Sequence, residues 1–198
     1  MRMIMKKIHL RRLYNKTRNV FKVIHNAITG IWAIYSVDVF YGDFWKFREY
    51  IIKNDLIDKN SREEKYYWNY LESKNSFVGL HAQIMGVPIL PHGLNGIFIS
   101  ESAIIGHKVT IYQQVTIGSN LYKDSKHFGA PKIGDNCVLG AGAILVGNIK
   151  VGDNCRIGAG TVVYKDIPDN STVVSKHLDI ISHGYDLKDN TFIPNTHK

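Results

Sequence analysis

Nine histidines and two cysteines are the residues of this 198-residue sequence best suited to proton transfer or nucleophilic attack. An imidazole titrates near 6.5, so it can take the proton of an alcohol, which is otherwise a poor nucleophile at neutral pH. Three histidines stand out by context: His92 within Pro91-His92-Gly93, His107 at a corner of a repeat, and His127 in a polar run. A lone histidine more often serves structure than chemistry, and on residue type alone that reading stays open for all three. Two cysteines are too few for a disulfide scaffold or a Cys-based zinc ribbon, so no metal site is expected.

The elements that position these residues are written in a six-residue period. Ile99, Ile105, Ile111 and Ile117, then Ile133, Leu139, Leu145, Val151, Ile157 and Val163, keep one register. Gly follows the aliphatic residue at 106, 118, 134, 140, 152 and 158, and pairs that tolerate a tight backbone come next, as in Asp135-Asn136 and Asp153-Asn154. Four places after each aliphatic residue stands a second small or apolar one, such as Ala103, Cys137, Ala143 or Cys155. A helix cannot hold this pattern, because a six-residue repeat drifts around a 3.6-residue turn. Short strands joined by corners can, with three hexads closing an 18-residue triangular coil. Cys137 and Cys155, 18 apart, are expected to stack inside as small core residues.

Two interruptions break the register. Ile117 to Ile133 spans 16 residues, so Ser119–Ala130 is expected to loop out of the solenoid, and Leu90 to Ile99 spans nine, with Pro91–Gly96 as the irregular stretch. Insertions of this kind commonly line the binding face of a repeat protein.

The rest of the chain differs in texture. The formal charge of +8 is concentrated in residues 1–19, which hold seven Lys and Arg and no acid; the remainder carries 18 basic against 17 acidic residues. Such an arm argues for peripheral membrane contact through residues 1–19 more than for specific nucleic-acid binding. From Leu10 to about Ser73 the pattern predicts two to four helices, with a polar turn over Lys53–Arg62. The longest clean apolar stretch there, Ala27–Val37, falls well short of the roughly 20 residues that cross a bilayer. With no convincing leader and few cysteines, a cytoplasmic location is expected, with membrane association through the arm.

Over Gly79–Val174 the sequence resembles the hexapeptide-repeat acyltransferases, and within them the serine-acetyltransferase-like branch that includes acetyltransferases of bacterial surface polysaccharides of the colanic acid type. The resemblance rests on Pro91-His92-Gly93, Val115-Thr116-Ile117-Gly118, Pro131-Lys132-Ile133-Gly134 and Ile157–Val163 running into Lys165-Asp166-Ile167-Pro168. It implies a mainly β fold, a left-handed parallel β-helix, preceded by a small α-helical N-terminal region. The organisation expected is a basic arm and helical region over 1–75, the β-helix over 76–176 and a tail over 177–198. It also implies a homotrimer with active sites between subunits and acetyl-CoA as co-substrate.

Carried over residue by residue, the resemblance makes His92 the catalytic base and Ala141, Ala159 and Lys165 the contacts to acetyl-CoA, while His127, four residues before Pro131, is the candidate substrate-binding residue. Serine acetyltransferases have an acid directly before the histidine, where this chain has Pro91, and a histidine directly before the proline of the Pro-Lys-Ile-Gly motif, where it has Ala130. Their glycine-rich sequence after Val-Thr-Ile-Gly is replaced by Ser119-Asn120. These departures direct the expectation to O-acetylation of a sugar hydroxyl on a surface polysaccharide or its precursor. L-Serine O-acetylation is the alternative for a small-molecule acceptor, and a non-catalytic trimeric scaffold or CoA-binding protein is the second alternative.

Overall fold

The computed structural model describes residue 37, residues 43–58 and residues 60–175. The basic arm at 1–19, the aromatics Trp32, Tyr35, Phe40 and Tyr41, and the 177–198 tail lie outside the described residues.

Among the described residues two short helices come before the strands. Helix α1, Phe44–Lys53, starts where the Asp43 carboxylate accepts the Lys46 N–H at 2.9 Å, and Phe44, Phe47, Arg48 and Ile51 form its buried stripe. That same N–H bond lowers the Asp43 pKa. Helix α2, Arg62–Ser73, is capped by Ser61, whose hydroxyl accepts the Glu64 N–H at 3.0 Å, and buries Tyr67 and Leu71. The turn between them falls in the polar stretch that the sequence marks out.

Thirteen strands of two or three residues follow: β1 (Phe77–Val78), β2 (Gln83–Ile84), β3 (Phe98–Ile99), β4 (Ile104–Ile105), β5 (Thr110–Ile111), β6 (Thr116–Gly118), β7 (Lys132–Ile133), β8 (Val138–Leu139), β9 (Ile144–Val146), β10 (Lys150–Val151), β11 (Arg156–Ile157), β12 (Val162–Val163) and β13 (Thr172–Val173). They form three parallel sheets, β1-β3-β6-β9-β12, β2-β4-β7-β10 and β5-β8-β11-β13, visited in rotation as the chain advances. Bridges from Ile89 to Thr110 and from Val151 to Ile167 fill the places where a named strand is lacking. The result is a three-walled coil in which Ile117 pairs with Leu145, Leu145 with Val163, and Ile105 with Ile133 and then Val151.

All ten aliphatic residues of the six-residue register are buried, and so are Ala103, Val109, Val115, Cys137, Ala143, Ile149, Cys155 and Thr161 at the second inward position. Burial of this much aliphatic surface is what closes the coil, since two-residue strands have little stability alone. Cys137 and Cys155 stack as free thiols in that core. Burial raises the Cys137 pKa to about 11.

The helices are fastened to the first turn of the coil. Arg48 is buried and its Nη2 donates to the carbonyls of Gly79, Leu80 and Ala82, at 3.2, 3.2 and 2.6 Å. The Tyr67 hydroxyl donates to Val78 O at 2.7 Å, and Trp68 stacks on Phe77 with ring centroids 5.3 Å apart. Desolvation raises the Tyr67 pKa as well.

Candidate functional site

The edge at which the chain passes from the third sheet to the first carries His92. In successive coils this edge is made by 90–96, 112–115, 140–143 and 158–161, because Ile111 pairs with Leu139 and Leu139 with Ile157 on one side, and Phe98 pairs with Thr116, Thr116 with Ile144 and Ile144 with Val162 on the other. The first passage is three residues longer than the one beneath it, which accounts for the nine-residue spacing from Leu90 to Ile99. The extra length is taken up by a turn closed by Gly93 N–H to Leu90 O at 3.1 Å, with Gly93 and Gly96 at φ of 66° and 67°. Those angles favour glycine and lift the chain away from the wall.

His92 sits on this lifted turn with its side chain exposed. Its Nδ1 lies 2.6 Å from Gln113 Oε1, and its ring meets Tyr112 edge to face at 5.7 Å between centroids. The Asn95 amide donates to the His92 carbonyl, and Asn95 O accepts the Gln114 N–H at 2.9 Å, so the turn is tied to itself and to the next coil.

Below Gln113 on the same edge stand Ala141 and then Ala159. Gly142 N–H donates to Gln113 O at 3.0 Å and Gly160 N–H to Ala141 O at 2.9 Å. The structure therefore brings three of the sequence candidates, His92, Ala141 and Ala159, onto one edge. With only methyl groups at two successive levels, an extended ligand can approach the backbone there.

His127 and Lys165 stand on a different edge, where the first sheet passes to the second. The excursion is pinched off by an antiparallel pair, Asn120 N–H to Gly129 O at 2.8 Å and Gly129 N–H to Asn120 O at 2.9 Å. Residues 121–128 project from that neck. The His127 carbonyl accepts the Asn148 N–H at 2.9 Å, which ties the loop to the following coil and leaves the His127 side chain exposed. Lys165 is exposed on that edge too. Within one chain the whole first sheet separates this pair from His92. That sheet turns Phe98, Ile144 and Val162 outward, at 47%, 39% and 51% exposure.

His107, the third histidine singled out by context, lies on the remaining edge, and its backbone N–H donates to the Asp135 carboxylate at 2.7 Å. Gln113 is the site residue that sequence reasoning missed. Its signal is positional: once the ten residues that lengthen the 117–133 step are set aside, Gln113 falls one 18-residue coil before Ala141. Among the described residues no cluster of three His, Cys, Asp or Glu could hold a metal ion.

Comparison with known proteins supplies the chemical context. Residues 130–165 match the family model described as Bacterial transferase hexapeptide (six repeats). Serine acetyltransferase from Staphylococcus aureus (strain Mu50 / ATCC 700699) is 46% identical over 85 residues, covering 43% of this chain and 38% of that protein. Serine acetyltransferase from Synechocystis sp. is 48% identical over 93 residues, covering 47% of this chain and 36% of that protein. This chain thus spans well under half the length of the curated relatives it matches. Among solved structures, Neisseria gonorrhoeae serine acetyltransferase in complex with serine superposes with a TM-score of 0.57 at 25% identity, over 79% of this chain and 68% of that one.

These similarities correct one expectation. The departures at Pro91, Ser119-Asn120 and Ala130 directed the sequence reading to a polysaccharide hydroxyl, yet the relatives are named serine acetyltransferases and that reading is overturned. The absence of single motif residues is weaker ground than 46% and 48% identity over 85 and 93 residues. The comparisons support similarity to hexapeptide-repeat transferases over 130–165 and to serine acetyltransferases over less than half of the chain's length, and the saccharide acceptor has no support.

Proposed function

We propose that this chain is an acyltransferase, moving acetyl from acetyl-CoA to the hydroxyl of L-serine, with His92 as general base. The observation that carries the reading is the edge shared by one exposed imidazole and two stacked alanines, in a chain whose relatives are serine acetyltransferases. His92 removes the hydroxyl proton as the oxygen attacks the thioester carbonyl. Collapse of the tetrahedral species breaks the C–S bond, the acetyl group stays on oxygen, and the departing thiolate takes the proton back from the imidazolium. Proton and electron pair are returned, so no covalent enzyme intermediate is needed.

Ala141 and Ala159 bind the pantetheine arm through the backbone that their small side chains expose, and Lys165 meets a phosphate. The coil is left-handed, as in the structures it resembles, and the working unit is a homotrimer. The apolar outward stripe of Phe98, Ile144 and Val162 suits burial against a neighbouring subunit. Such packing brings the His127 and Lys165 edge of one subunit toward the His92 edge of the next, which reconciles the site residues that a single chain holds apart. His127 is then an acceptor contact.

The test is release of CoA thiol from acetyl-CoA with L-serine as acceptor, using the purified full chain. Turnover with serine that falls by about 10²- to 10⁴-fold in His92→Ala supports the reading. Equal activity in that variant, or no turnover with serine, sinks it.

A further inference from the structure

We propose that Gln113 is a positioning residue: its side-chain oxygen accepts a hydrogen bond from Nδ1 of His92, holding the neutral ring as the Nδ1–H tautomer with Nε2 as the basic nitrogen. This deepens the acetyltransferase reading and rests on it for its catalytic consequence, while the tautomer itself is a statement about the protein alone.

The argument is geometric. A neutral imidazole has one N–H and one lone pair, and the partner of one nitrogen decides which is which. Gln113 Oε1, at 2.6 Å from Nδ1, can only accept, so the proton belongs on Nδ1. The opposite orientation of the amide would place an N–H against Nδ1 and leave the proton on Nε2, the nitrogen that has to be unprotonated to act. The ring also meets Tyr112 edge to face, at 5.7 Å between centroids. The Gln113 main chain is itself fixed, its carbonyl accepting the Gly142 N–H at 3.0 Å.

The chemistry of an amide in this place differs from that of a carboxylate. Among the described residues the hydrogen-bond and ring partners of the imidazole are Gln113 and Tyr112, and no carboxylate lies within 4.0 Å of the ring nitrogens of His92. Gln113 therefore orients the ring without adding a negative charge that would favour the imidazolium. A carboxylate would do both at once.

The experiment joins spectroscopy and kinetics on the full chain. Histidine ¹⁵N NMR of the neutral rings at alkaline pH, with His92→Asn to assign the signals, is expected to show Nδ1 protonated in the parent protein. In Gln113→Ala the two tautomers should both be populated, and the CoA-release assay should show kcat reduced by about 10- to 100-fold, with KM for acetyl-CoA held within about twofold. Gln113→Glu should restore the Nδ1–H tautomer and move the acidic limb of the pH profile to higher pH, because the new charge stabilises the imidazolium. Circular dichroism and Tm of both variants confirm that the coil is intact. An Nε2–H tautomer in the parent, or an unchanged tautomer and kcat in a folded Gln113→Ala, overturns the proposal. Loss of the acetyltransferase reading would appear separately, as His92→Ala with full turnover or serine without turnover, and would leave the NMR result standing.

Discussion

Ala159 lies one coil after Ala141 on the edge that also carries His92, the two joined by the 2.9 Å bond from Gly160 N–H to Ala141 O. Both neighbouring glycines, Gly142 and Gly160, have φ near +65° and open space where a Cβ would point. This edge is consequently free of side chains beyond the methyl group at two consecutive levels. Replacing Ala159, which is exposed, by Phe is expected to raise KM for acetyl-CoA about tenfold or more while changing Tm by only a degree or two. Steady-state kinetics and a thermal melt on the same preparation check both halves of the statement.

Gly140 is packed against the next coil. A Cβ there would stand 2.6 Å from Ala159 N and 2.8 Å from Ile157 O. Both are backbone atoms of a paired strand or its corner, and neither can yield without breaking the ladder. Gly140→Ala should therefore cost about 1–3 kcal/mol, read as a lowered denaturant midpoint at unchanged m-value. It should also displace Ala159 and weaken acetyl-CoA binding.

Arg48 joins helix α1 to the coil through three carbonyls, and its buried guanidinium cannot be lost without stranding them. Arg48→Ala is expected to destabilise the protein by about 2–4 kcal/mol. Because the bonds run only to 79–82, amide exchange should accelerate first in α1, α2 and β1, and least in β9 to β12. Uniform acceleration across all coils would contradict that hierarchy.

The Cys137 thiol has an ordinary value of 9.0 and is pushed up to about 11 by burial. The folded state thus holds its proton at a pH where the unfolded chain has released it. The resulting stability is complete below about pH 9 and is lost as pH rises from there toward 11. Melting curves of the parent protein should fall more steeply over that interval than those of Cys137→Ala. Tyr67, also raised by burial, contributes equally to both proteins and cancels in the comparison.

The coil was legible because its determinants are local and periodic. A hexad with an aliphatic residue, a glycine and an Asx or small pair dictates one wall and one corner, and both breaks in the period correspond to real changes of path, at 90–96 and at 119–131. Of the edge that His92 shares with Ala141 and Ala159, the sequence shows the stacking of the two alanines, through their 18-residue spacing, while His92 is singled out there by motif resemblance alone. Gln113 was not, since its bond to His92 crosses two coils whose connecting segments differ in length by three residues, and no local pattern encodes that offset. The acceptor was misread for a related reason. Single departures such as Pro91 and Ala130 were given the weight of a site, against 46% and 48% identity to serine acetyltransferases over 85 and 93 residues.

The neck of the excursion bears on how such a protein can diverge. Asn120 and Gly129 exchange both backbone bonds, so the path leaves and re-enters the wall at a single point, and the His127 carbonyl beside that neck holds the Asn148 N–H of the following coil. The stretch from 121 to 126 is in effect a removable cassette. Descendants of this scaffold can lengthen, shorten or rewrite it to suit a new acceptor without renegotiating the architecture that supports the histidine.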